Sequence, residues 1–161
     1  MTLLRAVARP MLATMFVTGG AMALRKPDAL AAKAQPVADA LRRIAPGARL
    51  TPTNVVRLNA AVHIAAGTAL ATGHLPRTSA LVLAATMPAT TVSGHPFWNE
   101  TDPVARRNQR THFLKNVSLT GGLLLSTLDP EPSKPWLGRR AARTAVAAKD
   151  GIAGRLEGLR G

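Results

Sequence analysis

The apolar residues of this chain gather in four long stretches, and most of its basic residues fall outside them. A helix needs roughly 17 to 25 residues to cross the hydrocarbon core of a bilayer, and each stretch reads as such a span. The first runs from about Pro10 to Leu24, and extends back to Leu3 if Arg5 and Arg9 snorkel to the headgroups. The second runs from Val55 to Gly73, with Arg57 near its start and Asn54 as the expected N-cap. The third runs from about Leu75 to Ser93, with an expected kink at Pro88. The fourth runs from His112 to Leu128, carries Lys115 near its beginning and stops before Asp129 and Pro130. Spans two and three are apolar around their whole circumference for several turns, whereas a surface helix of a soluble protein keeps a polar face.

The connections differ in kind. From Asp28 to Ala45, the residues Leu30, Ala34, Val37, Leu41, Ile44 and Ala45 recur at helical spacing, with Asp28, Gln35, Asp39, Arg42 and Arg43 opposite. That pattern predicts an amphipathic helix in the plane of the membrane interface, kinked or restarted at Pro36. The link around His74 to Arg77 is short enough to demand a tight turn, so spans two and three are antiparallel neighbours. The connection from Gly94 to Thr111 is polar and places Trp98 beside Phe97, the pattern of an aromatic belt at headgroup level.

The fold class predicted is therefore all-α: a four-helix transmembrane bundle with an interfacial amphipathic helix between spans one and two. Residues 1–132 form the membrane domain, and residues 133–161 form a basic C-terminal tail. Leu137, Ala141, Ala145, Ala148, Ile152, Leu156 and Leu159 recur at helical spacing in that tail, although Gly151, Gly154 and Gly158 weaken a helix there. Arg139, Arg140, Arg143 and Lys149 lie off this stripe, so the tail is expected to bind anionic bilayers through charge. Four crossings put both termini on one side, but Lys and Arg are almost evenly divided between the two sides and do not orient the bundle. A cleaved secretory signal is the alternative for the first segment, with Ala29-Leu30-Ala31 as the cleavage site. Arg25 and Lys26 interrupt that pattern.

A length of 161 residues fits one domain, and the net charge of +13 would ordinarily suggest nucleic acid. Basic clusters alternating with apolar stretches suit anionic lipid headgroups instead, each such charge contributing about 1 kcal/mol near the surface. Membrane lipids are thus the expected partners, and nucleic acid is not. The absence of cysteine excludes disulfides, thiolate metal sites, iron–sulfur clusters and dithiol chemistry by this chain itself. Helices in lipid associate through close backbone approach, so small residues are informative. Ala61, Ala65, Ala69 and Gly73 form one i, i+4 stripe, Ser118, Gly122 and Ser126 another, and Gly19 and Gly20 serve the first span. Packing within the bundle is the preferred reading of these faces, with a homo-oligomer interface as the alternative.

Ionisable and amide side chains within spans are costly, and they are the first place to look for function. Asn59 and His63 share a face of the second span, Thr90, Thr91 and His95 end the third, and His112, Lys115 and Asn116 begin the fourth. All three groups lie at one membrane level. The expected ligand- or partner-binding set is Asn59, His63, Thr91, His95, Trp98, Lys115 and Asn116, with Lys115 supplying charge. The alternative is that these groups only satisfy one another and the helix ends. No catalytic residue, metal ligand or cofactor is assigned. Ser93, His95 and Asp102 have the residue types of a hydrolytic triad with nothing to fix their geometry, two-histidine haem ligation lacks a paired spacing on facing helix centres, and no phosphate loop or dinucleotide fingerprint occurs.

The runs Arg9-Pro10 to Asp28, Val56-Arg57-Leu58-Asn59, Gly73-His74-Leu75-Pro76-Arg77, Ser93-Gly94-His95-Pro96-Phe97-Trp98 and Phe113-Leu114-Lys115-Asn116 to Gly121-Gly122-Leu123 resemble the DoxX family, in its actinobacterial branch. The resemblance covers about residues 3 to 128. It implies a multi-pass bundle in the bacterial cytoplasmic (inner) membrane, and it inclines both termini towards the cytoplasm. It also implies an association with redox metabolism, since relatives serve as membrane subunits of quinone-linked sulfur oxidation or as membrane partners of soluble thiol and oxidative-stress enzymes. The function expected on that basis is a non-catalytic subunit or anchor of a redox-linked complex, with a soluble redox enzyme as partner and quinone as the one cofactor considered. The alternative is a binder or carrier of a quinone-like or lipid-like small molecule.

Overall fold

The computed structural model describes residues 3–48 and 50–128. Among them the elements are α1 (Leu3–Arg25), α2 (Asp28–Ile44), α3 (Pro52–Thr72), α4 (Pro76–Gly94), a short 3-10 turn at Phe97–Asn99, and α5 (Pro103–Thr127). The described residues contain no strand, so the all-helical class holds. Residues 129–161 lie outside the described residues, and with them the tail, its helical stripe and its expected lipid contacts.

Two helices start earlier than the apolar pattern implies, for the same local reason. α3 is capped by Thr51, whose side chain accepts a hydrogen bond from the Asn54 N–H at 3.2 Å, and Pro52 takes the first helical position. Asn54 is therefore inside the helix rather than its cap. α5 is capped by Asp102, which accepts from the Ala105 N–H at 2.6 Å, again with proline next. A capping oxygen followed by proline satisfies one free N–H and replaces another, and the proline arrives with helical φ. As a result α5 begins at Pro103 rather than near His112. The α3–α4 link is the expected tight turn: Gly73 ends α3 with φ 77°, and Leu75 precedes α4 with φ 48°.

α1 and α3 pack antiparallel and very closely. A Cβ on Gly20 would lie 2.9 Å from the carbonyl oxygen of Ala60, and one on Gly67 would lie 2.9 Å from Val17 Cγ2. The buried side of α3 runs through Val56, Ala60, His63, Gly67 and Leu70, at alternating steps of four and three. The strict i, i+4 stripe drifts off this face, since four steps of 100° overshoot a turn, and Ala61 and Ala65 are exposed. Gly122 of α5 faces Leu12 of α1. The core is small: Ala13, Phe16, Leu70, Ala80, Leu83, Ala84, Met87 and Leu123.

Outside this core the surface is strongly apolar. Leu4, Met11, Met22, Leu58, Leu125 and Leu128 are all more than half exposed. A soluble protein rarely exposes so many large apolar side chains, whereas lipid solvates them. α1 and α3 are the two helices, among the described residues, that are both long and apolar enough to cross a membrane.

α2 lies across one end of the bundle. Its first residue, Asp28, accepts a hydrogen bond from Thr53 at the start of α3 at 2.9 Å, and Lys33 reaches the Gly94 carbonyl at the end of α4 at 3.4 Å. Of the two outcomes expected at Pro36, a kink or a restart, the restart does not occur: the helix continues through Pro36. The carbonyl that Pro36 leaves without an N–H is that of Ala32, an exposed residue, so its polar group is not sealed from solvent.

Candidate functional site: a cavity beneath the amphipathic helix

The end of α1, the starts of α2 and α3, the end of α4 and the middle of α5 meet at the α2 end of the bundle. Because helices α1 and α4 terminate there while α3 begins, their polar terminal residues arrive at one level. Between them lies a half-open cavity of about 360 Å³. Met15, Phe16, Val55, Val56, Met87 and Leu119 give it apolar walls, and Leu30, Lys33, Ala34 and Val37 of α2 form its roof. Its polar side chains include Asn59, His63, Thr90, Ser93, His95 and Asn116.

His63 is buried, its ring edge-on to Phe16 with centroids 5.2 Å apart. Its Nε2 is 2.9 Å from the Thr86 hydroxyl, and that hydroxyl donates its own proton to the Leu83 carbonyl at 2.7 Å. With the threonine proton committed, Nε2–H must be the donor to Thr86, which leaves Nδ1 as an acceptor. Nδ1 has no hydrogen-bond partner among the described residues, yet it is not sealed off from solvent. His95 is its mirror image. His95 Nδ1 is 2.8 Å from Gln109 Oε1 and donates to it, leaving Nε2 as the acceptor, while the ring stacks on His112 at 5.1 Å. The side-chain amides of Asn59 and Asn116 likewise have no partner among the described residues. Two imidazole nitrogens and two carboxamides thus line an apolar cavity without being satisfied by one another.

Four of the seven residues expected at a site, Asn59, His63, His95 and Asn116, line this one cavity. The other three do not. Lys115 is exposed on α5, since one residue along a helix turns a side chain by 100° from its neighbour Asn116. It is removed from the cavity, and the role of supplying charge there does not fall to it. Thr91 is buried and its carbonyl accepts the His95 N–H at 3.0 Å, while its neighbour Thr90 reaches the cavity instead. Trp98 packs edge-on against Phe97 and Phe113 and stays half exposed, as an aromatic belt residue does. Sequence reasoning missed Thr86 and Gln109, which orient the two histidines, and Lys33, the charged residue of the lining. Gln109 became readable only once Asp102-Pro103 is recognised as a helix start. For Thr86 and Lys33 no local signal exists, because their partners come from other helices.

On α2, outside the proposed site, Asp39 accepts from Gln35 at 3.0 Å and pairs with Arg42. The Gln35 amide, and then the Arg42 guanidinium, hold its carboxyl below the ordinary value of 3.8. Among the described residues, no group of three or more His, Cys, Asp or Glu side chains is placed to hold a metal ion.

The DoxX family model matches residues 4–96, which span α1 to α4 and include Asn59, His63 and His95. Trp98 and α5, with Lys115 and Asn116, fall beyond the matched region. No curated protein and no solved structure matches the chain. With more than half of its length matched by the family model, and two apolar helices of spanning length, the chain is a membrane protein belonging to the DoxX family.

Proposed function

We propose that this protein crosses the bacterial cytoplasmic membrane four times and holds one small lipophilic molecule, by its polar end, in the cavity beneath α2. The observation that carries this reading is the set of unsatisfied polar groups on an apolar cavity: His63 Nδ1, His95 Nε2 and the Asn59 and Asn116 amides. Pockets for small molecules have this composition, mostly apolar walls with a few oriented polar groups. A bundle that only packed its polar residues would pair these groups with each other, whereas here they stay open to the cavity, free to meet a ligand.

Helix lengths support the two further crossings. α4, with 19 residues, is about 28 Å long and α5, with 25, about 37 Å, against a hydrocarbon core of roughly 30 Å. Charge placement agrees: Arg77 lies in the first turn of α4, and Arg106, Arg107 and Arg110 lie in the first turns of α5, ahead of its apolar stretch. Lys115 is exposed and long enough to snorkel. α2 then lies at the interface, where its basic residues meet anionic headgroups.

The reading as a non-catalytic subunit or anchor of a redox-linked complex rests on family resemblance alone, and the cavity favours the ligand-binding reading. Native mass spectrometry of the full chain, extracted in mild detergent, tests it. The expected result is one bound lipophilic molecule per chain, absent from Gly19→Phe, since Gly19 lines the cavity and a Cβ there meets no atom within 4 Å. Equal occupancy in the two proteins would refute the site. A chain that carries no small molecule and copurifies with a soluble redox enzyme would favour the subunit reading.

A further inference from the structure

Among the described residues the lining of the cavity carries one charged side chain, and it is a cation: Lys33 projects from α2, and no described Asp or Glu lines the space. The Lys33 ammonium donates to the Gly94 carbonyl at 3.4 Å, beyond the usual range for such a bond. Capping the carbonyl end of α4 occupies one of its three protons. The other two have no partner among the described residues. The contact with the Gly94 carbonyl puts the ammonium at the C-terminal end of α4, where His95 is the next residue in the chain.

We propose that the cavity selects single-chain amphiphiles with an ionised acidic head, a carboxylate or a phosphate monoester. This rests on the ligand-binding reading above and narrows it. The head accepts hydrogen bonds from Lys33 and from the carboxamides of Asn59 and Asn116, which are donors, whereas an oxygen-rich anion without donors of its own gains nothing from acidic neighbours. The chain lies along Phe16, Val56, Met87 and Leu119. A volume of about 360 Å³ is at the small end of ligand pockets, which suits one acyl chain and not a two-chain phospholipid. The position of α2 explains the polarity of the site: its basic residue enters from the interface, where an acidic head already resides, and the apolar walls continue inward. His63 Nδ1 and His95 Nε2 are acceptors, so a neutral alcohol can also bind, by donating to either. Affinity for an alcohol therefore reports the cavity, and preference for an acid reports Lys33.

The test is saturable binding of radiolabelled dodecanoate, dodecyl phosphate and dodecanol to the full-length protein in phosphatidylcholine nanodiscs, corrected for empty discs. At least one of the two acids is expected to bind about tenfold or more tighter than the alcohol, and the tighter one identifies the head. Lys33→Gln brings the acids to the affinity of dodecanol, Lys33→Arg retains the preference, and Gly19→Phe abolishes binding of all three. Acid and alcohol binding equally to the native chain, with both sensitive to Gly19→Phe, would overturn acid selection while leaving the cavity as a ligand site. Acid preference persisting in Lys33→Gln would also overturn it. No saturable binding of any of the three would overturn the ligand-binding reading itself.

Discussion

Gly19 and Gly20 are neighbours in the same helix, and the packing of α1 on α3 predicts opposite outcomes for the same substitution at each. At Gly19 a Cβ meets nothing within 4 Å, so alanine costs no contact and removes the conformational freedom of glycine. Helix propensity favours it by about 0.8–1.0 kcal/mol. At Gly20 the added carbon would lie 2.9 Å from the Ala60 carbonyl oxygen and 2.9 Å from Ile64 Cγ1, with His63 Cβ at 3.4 Å. Separations under 3.0 Å are essentially never adopted by a Cβ, and the Ala60 oxygen belongs to the backbone of α3, so relief requires the helices to part. Overpacking of this kind costs about 1–3 kcal/mol, which exceeds the propensity gain over most of its range. Gly67→Ala should fall between the two, because its closest neighbour is the tip of the Val17 side chain. The assay is thermal unfolding of the purified variants in one detergent, followed by loss of the monodisperse species. The expected order of stability is Gly19→Ala, then Gly67→Ala, then Gly20→Ala. A Gly20→Ala protein melting at or above Gly19→Ala would refute the close α1–α3 contact.

Three further outcomes follow from individual contacts. Gln109→Leu removes the acceptor of His95 Nδ1, so dodecanol binding should weaken by a severalfold factor and stability should fall by about 1 kcal/mol; unchanged affinity for the alcohol would remove His95 from the site. Leu75 holds a left-handed conformation that costs a non-glycine residue about 1–2 kcal/mol, and its side chain is exposed, so Leu75→Gly should raise the melting temperature, and a clear fall would contradict this account of the turn. Asp39 has its folded-state pKa lowered, so its support for α2 is complete above the ordinary value of 3.8 and is lost as pH falls through the folded value. Amide exchange in α2 should therefore quicken below that range in the native chain, and Asp39→Asn should already exchange at the faster rate at neutral pH.

The helical periods were readable because they follow from single stretches of sequence. The amphipathic pattern from Leu30 to Ile44 gives α2, and the short apolar-to-apolar link at His74 gives the α3–α4 turn. Helix starts were harder. Thr51-Pro52 and Asp102-Pro103 both carry the N-cap and first-turn proline pattern, but hydropathy puts the apolar runs later and hides it. Moving the start of α5 to Pro103 turns Gln109 from a loop residue into a helical one beside His95. Within the site, Asn59 and His63 were readable together because one turn of one helix separates them. Lys115 was expected to supply charge to the site, and the reason it does not line the cavity is tertiary. Lys115 is adjacent in sequence to a cavity residue but turned away from it, whereas Lys33 reaches the cavity only because α2 folds back over the bundle.

The central claim is that α1, α3, α4 and α5 all cross the membrane, with α2 and the cavity at one face. A chain without cysteine allows this to be tested with single introduced cysteines. Ala40 on α2, Asn108 in the first turns of α5 and His74 in the α3–α4 turn are exposed positions on the described surface, and each takes one cysteine in turn. Labelling with a membrane-impermeant maleimide, in sealed vesicles of known orientation, reads the side of each. The account predicts that cysteines at 40 and 108 react from one side and a cysteine at 74 from the other. Reaction of all three from the same side would contradict it.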